Sequence, residues 1–313
     1  MIGPILVTGA AGFVGSHLLD LLRPTGLPIE AWMRPDAPPL AALETPGVTW
    51  AAVELLDRAS VSARLSSLRP RTVFHLAGAA HVGRSWESAG ATLETNVIGT
   101  HHVLEGLRAL DADARVLVPG SAAVYAVNGA ALTEGSALHP DSPYGISKLA
   151  QEQLGLAAAA EGMHVVVTRS FNHIGPRQDP AFAAASFARQ IALAECGRAP
   201  SVLRAGNLAP RRDLTDVRDT VRAYAALIEH GRSGTVYNVC SGRALAMQEL
   251  VDGLRAMASV PVSLETDPSL FRPHDAPLVL GDSSRLQADT GWRPAIPLEK
   301  TFADLLEYWR AQI

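Results

Sequence analysis

Three residues of this chain have the types and spacing to move a proton. Tyr144 and Lys148 are four apart in Tyr144-Gly145-Ile146-Ser147-Lys148, and Ser121 lies upstream. Pro143 stands where a helix favours proline, at its start. On a helix predicted from Tyr144 to about Glu161, residues four apart share a face. An ammonium beside a phenol favours phenolate, so Lys148 is expected to draw the Tyr144 pKa down from about 10 toward working pH. Such a pair gives or takes a proton at a reacting oxygen. Ser121 follows a strand predicted over 114–118. It could hold a carbonyl oxygen, because ligands of open α/β sheets sit at strand ends. Tyr-x-x-x-Lys also arises by chance and serine is common in turns, so the surrounding elements have to decide.

Those elements alternate. Ile5-Leu6-Val7 reads as a strand, residues 9–15 as a glycine-rich turn, and Ser16–Leu22 as a helix. Gly9, Gly12 and Gly15 have the spacing G-x-x-G-x-x-G, with Phe13 and Val14 inside it. Here Gly9 permits the tight turn, Gly12 admits a pyrophosphate to the backbone, and Gly15 lets helix and strand pack closely. The second strand, 28–33, ends at Met33-Arg34-Pro35 rather than at an acid for a ribose 2′-hydroxyl. Arg34 offers a cation for a 2′-phosphate, which favours NADPH over NADH; Asp36, slightly late, is the competing reading and keeps NADH or NAD open. Asp57 closes the third strand, 48–55, either as acceptor for an adenine amino group or as N-cap of a helix over 59–68. The fourth strand exits through Leu76-Ala77-Gly78, small enough for backbone to approach the cofactor's sugars. A loop over 81–86 and a long helix of about 88–110, carrying Asn96, follow. The cofactor-binding residues so far are the glycine turn, Arg34, Asp57, Leu76, Ala77, Gly78 and Asn96, with Tyr144 and Lys148.

After a sixth strand at 164–169 the alternation loosens. A helix is expected over 182–196, a turn-rich stretch over 203–210, a core strand at 237–240 and a final helix over 298–311. The fold class is α/β: a Rossmann-type doubly wound parallel sheet with a smaller, partly interleaved C-terminal lobe. Residues 1–170 plus about 212–240 make the dinucleotide domain, and about 171–211 plus 241–313 the lobe. Arg212 and Arg272 suit a second, substrate pyrophosphate, although each singly could be a surface ion pair.

Composition sets bounds. At 313 residues the chain buries a full core. A net charge of -4 provides no basic field for nucleic acid. The two cysteines, Cys196 and Cys240, form neither a disulfide framework nor a zinc pattern and fit a reducing cytoplasm. No charged leader precedes the first strand, and no apolar run approaches the ~20 residues that span a bilayer, so neither secretion nor a membrane is expected. His101 and His102 have no partner at metal-ligand spacing, so no metal is expected.

Gly9, Gly12 and Gly15 with Ser121, Tyr144 and Lys148 resemble the extended short-chain dehydrogenase/reductase family across essentially the whole chain. The second half is more specific. Arg169-Ser170-Phe171-Asn172-His173-Ile174-Gly175-Pro176, the run Arg212–Asp219, Tyr237–Gly242 and Phe271-Arg272-Pro273 resemble the GDP-mannose-derived branch, and within it the reductases of GDP-4-keto-6-deoxy-D-mannose that form GDP-D-rhamnose. The resemblance implies Ser121, Tyr144 and Lys148 as catalytic triad and Asn172 as a substrate contact. It implies Arg212 and Arg272 at the nucleotide diphosphate, Asp275 near the nucleoside, and Arg84 and Ser85 facing the sugar. It also implies a homodimer through a four-helix bundle of helices 88–110 and 144–161. Related 4,6-dehydratases carry an acidic pair just after the catalytic hydroxyl residue, where this chain has Ala122 and Ala123, which argues against dehydration. The expected activity is NADPH-dependent reduction of a GDP-linked 4-keto-6-deoxyhexose. The rivals are an NAD-dependent nucleotide-sugar 4-epimerase and a non-catalytic nucleotide-sugar sensor on the same fold.

Overall fold

Short apolar runs that bury both of their faces require cover on both sides, which parallel strands with alternating helices provide. The computed structural model describes residues 1–36, 47–110, 113–271 and 276–313. Its strands begin with β1 (Ile5–Thr8), β2 (Ile29–Met33), β3 (Val48–Ala52), β4 (Thr72–His75), β5 (Arg115–Ser121) and β6 (His164–Ser170). They continue with β7 (Asn172–Ile174), β8 (Val202–Ala205), β9 (Arg211–Asp216), β10 (Thr235–Val239), β11 (Ala244–Ala246), β12 (Ser263–Thr266) and β13 (Leu278–Val279). Seven of them form one sheet in the order β10-β6-β5-β4-β1-β2-β3. All its pairings are parallel. The order reverses between β1 and β4, so a crevice opens beyond their C-terminal ends, at the topological switch point.

The period-2 pattern of the strands sorts their residues between two cores. Leu117 and Val166 face the layer formed by α1 (Phe13–Leu22) and, later in the chain, residues 217–230, where Leu18, Leu22, Tyr224 and Leu227 meet them. Their neighbours Val116, Val118, Val165 and Val167 face the opposite layer. That layer holds α2 (Arg58–Leu68) and a long helical stretch after β4. The stretch starts with α3 (Val82–Glu87), capped by His81, whose Nδ1 accepts the Arg84 N–H at 3.1 Å. A loop was expected over 81–86; this cap makes it a helix. After it, α4 (Ala89–Leu93) and α5 (Gly99–Ala109) are joined by a wide π-type turn, Glu94–Ile98, which bulges Asn96 inward. The same layer is completed by α6 (Pro143–Ala160) against β5 and β6.

The smaller lobe has its own core, in which α7 (Ala183–Glu195), α8 aside, packs with two later helices. The numbering runs α8 (Val217–His230), α9 (Met247–Ala256), α10 (Ser284–Thr290) and α11 (Leu298–Gln312). Ile191, Leu250, Leu254, Leu305 and Leu306 meet at the centre of α7, α9 and α11. The stretch 203–210, expected to be turns, begins with β8, which pairs in parallel with β12. Its Val-Leu-Arg-Ala alternates between covered and open positions, a pattern the surrounding Pro200, Gly206 and Pro210 obscure. A boundary at about 212 also falls inside β9, which pairs with β7, β11 and β13 rather than with the large sheet. The chain returns to the large sheet only with α8, which packs on α1, and β10.

Beneath the crevice lies a buried ion pair. Arg169 at the end of β6 grips Glu152 of α6 with Nε and Nη2 at 2.8 and 2.7 Å, both residues almost wholly excluded from solvent. The guanidinium also lies 4.8 Å from the Tyr125 ring centre and donates to the Glu134 carbonyl. Removing one member leaves the other charge buried and unpaired. Glu152→Leu is therefore expected to cost about 3–5 kcal/mol in urea unfolding; a loss below about 1 kcal/mol would show that the pair does not hold α6 to the sheet.

Candidate active site

The catalytic helix starts with a sequence-encoded cap. The Ser142 side chain accepts the Gly145 N–H at 3.1 Å, and Pro143 takes the first helical position. The next free donor, the Tyr144 N–H, is met at 3.2 Å by Ser85 Oγ, which itself donates to the Val82 carbonyl at 2.6 Å. Ser85 is buried and its hydroxyl is committed on both sides. It helps fix where α6 begins, and so where Tyr144 stands. Arg84, beside it, is exposed.

Burial dominates the electrostatics. It pushes the Tyr144 phenol above its ordinary pKa, with the Ser121 hydroxyl acting in the opposite direction. It pulls Lys148 down to about 8. The sequence argument had Lys148 lowering Tyr144, but here the ammonium donates to the Pro119 carbonyl at 2.9 Å and to Gln151 Oε1 at 2.7 Å, and desolvation of the phenol prevails. Ser121, at the end of β5, accepts the Ala123 N–H at 3.2 Å and stays partly open to the crevice. The arrangement offers a neutral phenol, a nearby ammonium and a hydroxyl at one strand end. Those are the parts for protonating an oxygen as charge develops on it.

The cofactor side is a cradle that added side-chain atoms would fill. Gly9 has φ +65, and a Cβ there would lie 2.7 Å from the Ala77 backbone; one at Gly15 would lie 2.3 Å from the Gly9 carbonyl. The turn thus brings β1, α1 and the Leu76–Gly78 exit of β4 together. No side chain caps the N-terminus of α1, and exposed Gly12 precedes Phe13 and Val14 there, as an anion-binding helix start requires. Arg34 is exposed at the end of β2, with Nε 3.5 Å from Asp36 Oδ1, so the two competing residues lean on one another. Asp57 Oδ1 accepts the Ala59 and Ser60 N–H groups, both at 3.1 Å, which is the N-cap reading. Asn96, fully buried, is committed to the protein: it accepts from the Ala79 N–H and donates to the Ala79 carbonyl and to Ser147. It therefore shapes the backbone around Ala79, beside the cradle.

On the substrate side, Asn172 is exposed where β7 leaves the large sheet. Arg212 donates from Nη1 to the carbonyls of Arg211 and Ala276, at the border of the lobe. Arg272 and Asp275 lie outside the described residues. Among the described residues no group of His, Cys, Asp and Glu is placed to hold a metal ion, and no helix is long and apolar enough to cross a membrane.

The sequence model of the GDP-mannose 4,6 dehydratase family matches residues 6–305. The chain belongs to that family. It is an extended short-chain dehydrogenase/reductase of the nucleotide-sugar branch. It is 36% identical over 313 residues to the GDP-6-deoxy-D-mannose reductase of Pseudomonas aeruginosa, covering 99% of this chain and 98% of the relative. The solved structure of RMD from Pseudomonas aeruginosa complexed with NADPH superposes with a TM-score of 0.84 at 36% identity, over 99% of both chains. UDP-glucose 4-epimerase from Thermotoga maritima, solved with UDP-glucose, gives 0.88 at 27% identity, over 98% of this chain and 99% of the other.

Within such a family the small residues after Ser121 discriminate. Ala122 is buried and Ala123 half-buried, and neither methyl can exchange a proton with a sugar carbon or hydroxyl. The sequence reading did not single out Ser147, Gln151, His75 or Thr100, which surround Lys148; Gln151 at least is visible in sequence, three residues on along the same helix. Gly78 also has a physical reason. A Cβ there would lie 2.7 Å from Asn96 Oδ1, and Asn96 has three hydrogen bonds preventing its retreat. Gly78→Ala is expected to destabilise the fold by about 1–3 kcal/mol through overpacking and to weaken NADPH binding by displacing the 78–80 backbone. Urea unfolding and NADPH fluorescence titration check both; a variant unchanged in each would show that Asn96 yields freely.

Proposed function

We propose that this protein reduces the C4 ketone of GDP-4-keto-6-deoxy-D-mannose with NADPH, giving GDP-D-rhamnose. The reading is carried by the Ser121–Tyr144–Lys148 site at the sheet's switch point, with its phenol held neutral and no acid at 122 or 123. Full-length likeness to a GDP-6-deoxy-D-mannose reductase supports the substrate, and likeness to an NADPH complex supports the cofactor. The uncapped start of α1 and the glycine turn fit the pyrophosphate, and exposed Arg34 fits a 2′-phosphate. Bound there, NADPH supplies hydride to C4.

The chain's own residues do the rest. Ser121 holds the ketone oxygen. Tyr144 arrives protonated, as an acid must, and gives its proton to the alkoxide developing at C4. Lys148 stabilises the phenolate left behind. Arg212 is assigned to the diphosphate, and Asn172 to the sugar. Such an enzyme belongs in a cytoplasm that supplies both NADPH and nucleotide sugar.

The test is NADPH consumption with freshly made GDP-4-keto-6-deoxymannose, the product identified by NMR. Stoichiometric oxidation yielding a 6-deoxyhexose is expected, with the C4 configuration of rhamnose. Tyr144→Phe should lower kcat by about 10²–10⁴ while substrate still binds. Absence of turnover, with NAD released on denaturation, would move the assignment to a 4-epimerase.

A homodimer is part of the proposal. Leu93, Ile98 and Ile146 are exposed apolar residues on the adjoining stretches α4, 94–98 and α6, and Trp86 stands exposed on α3 beside them. A second copy pairing these stretches into a four-helix bundle would cover them. Light scattering at micromolar concentration should give twice the chain mass, and Ile146→Asp should give monomer; a monomeric wild type would remove the bundle.

A further inference from the structure

Lys148 sits at the end of an internal hydrogen-bond line whose direction can be worked out proton by proton. The Thr100 hydroxyl has one proton, and it donates that to the Asn96 carbonyl at 2.7 Å. Its contacts with His75 Nε2 at 2.9 Å and Gln151 Nε2 at 2.7 Å must therefore be received. His75 then carries its proton on Nε2, and its Nδ1 accepts from Thr8 Oγ1 at 2.9 Å. Thr8 Oγ1 in turn accepts the Ala77 N–H at 3.1 Å, immediately before the glycine turn. With Gln151 Nε2 turned to Thr100, Oε1 is presented to Lys148 at 2.7 Å. The line runs Thr8, His75, Thr100, Gln151, Lys148, and every side chain in it is buried.

Among the described residues no counter-charge serves the ammonium. The titratable groups facing it are Tyr144 on its own helix and His75 from β4, which burial and Lys148 itself keep neutral, down at about 3. The nearest helix carboxylate, Glu152, is gripped bidentately by Arg169. Two neutral oxygens, of Pro119 and Gln151, are what meets the charge. Only that of Gln151 is a side chain, and only it depends on the line behind it.

We propose that Gln151 is a positioning residue of this reaction, holding the Lys148 ammonium charged and in place, and that Thr100 and His75 fix the orientation in which it can do so. The catalytic consequence rests on the reductase reading above; the effect on Lys148 does not, and the two can be measured apart. The sequence contains two lysines, Lys148 and Lys300. Lys300 is exposed, at 3.0 Å from Asp304, and serves as internal reference. Protein labelled with [13Cε]lysine therefore gives two resonances to titrate.

The wild-type Lys148 signal is expected to titrate near 8. Gln151→Leu keeps the volume and removes the acceptor, so the ammonium is less favoured and the midpoint moves down by about one unit, a tenfold change in the protonation equilibrium. The alkaline limb of kcat should move the same way. Near pH 7 kcat should then fall by about twofold and above about pH 9 by about tenfold, with KM for the keto sugar changed less than about threefold. Thr100→Val, which leaves Gln151 in place but free to turn, should reproduce part of the shift and covers the case in which Gln151→Leu does not fold. An unmoved Lys148 midpoint in a folded Gln151→Leu or Thr100→Val protein overturns the proposal. A wild type that reduces no ketone overturns the reductase reading instead, and the titration still decides the role of Gln151.

Discussion

Burying the Lys148 ammonium without a counter-ion is unfavourable, and much of the site can be understood as accommodating it. A carboxylate partner would neutralise the charge that has to stabilise a phenolate at Tyr144. Dipoles do not: a carbonyl at 119 and an amide oxygen at 151 lower the cost of burial and leave the positive charge intact. Both must be held rigidly, because a dipole that can turn away contributes little. Pro119 is held by the strand pairing of β5 with β6, and Gln151 by Thr100. The same charge helps to keep His75 neutral, so the requirement at the site extends into the centre of the sheet.

Closeness is the second constraint. Gly9, Gly15 and Gly78 each stand where a Cβ would meet backbone or a fixed amide at under 3 Å. The effect is to bring three elements, the turn after β1, the exit of β4 and the π-type bulge at Glu94–Ile98, within hydrogen-bond reach of one another. Asn96 exploits it by bonding Ala79 on both sides and Ser147 of α6 at 2.8 Å. The cofactor cradle and the catalytic helix are thereby one rigid unit, as preorganised catalysis demands.

What could be read from sequence was what local pattern carries. Short continuous apolar runs marked most strands, helical spacing marked α1, Pro143 marked the start of α6, and the glycine spacing marked the turn. Apart from one local cap, the misreadings came where nonlocal partners decide. The 81–86 stretch has no helical period, and becomes α3 because His81 caps it. β8 is four residues among turn formers and is recruited by β12, some sixty residues on. Sequence also does not reveal that Ser85 meets the Tyr144 N–H or that Asn96 meets the Ala79 backbone, because both partners are distant along the chain. The Tyr144 pKa differs for a related reason: a helix-face argument omits the desolvation, which outweighs the opposing Ser121 hydrogen bond.

The family is named for a dehydratase, and the fold is shared with epimerases, so architecture alone does not select the reaction. Selection has to come from which protons the site can move and in which direction. Dehydration needs groups that exchange protons at C5 and at the C6 hydroxyl, and alanine at 122 and 123 removes them without disturbing the turn that Ser121 makes with the Ala123 N–H. Epimerisation needs C4 oxidised and then reduced by one retained cofactor, whereas likeness to a GDP-6-deoxy-D-mannose reductase and to an NADPH complex points to reduction alone. Reduction needs one proton, delivered once, to one oxygen. A buried phenol with a charged lysine nearby and a hydroxyl to hold the carbonyl meets that need, and alanine at 122 and 123 leaves that of dehydration unmet.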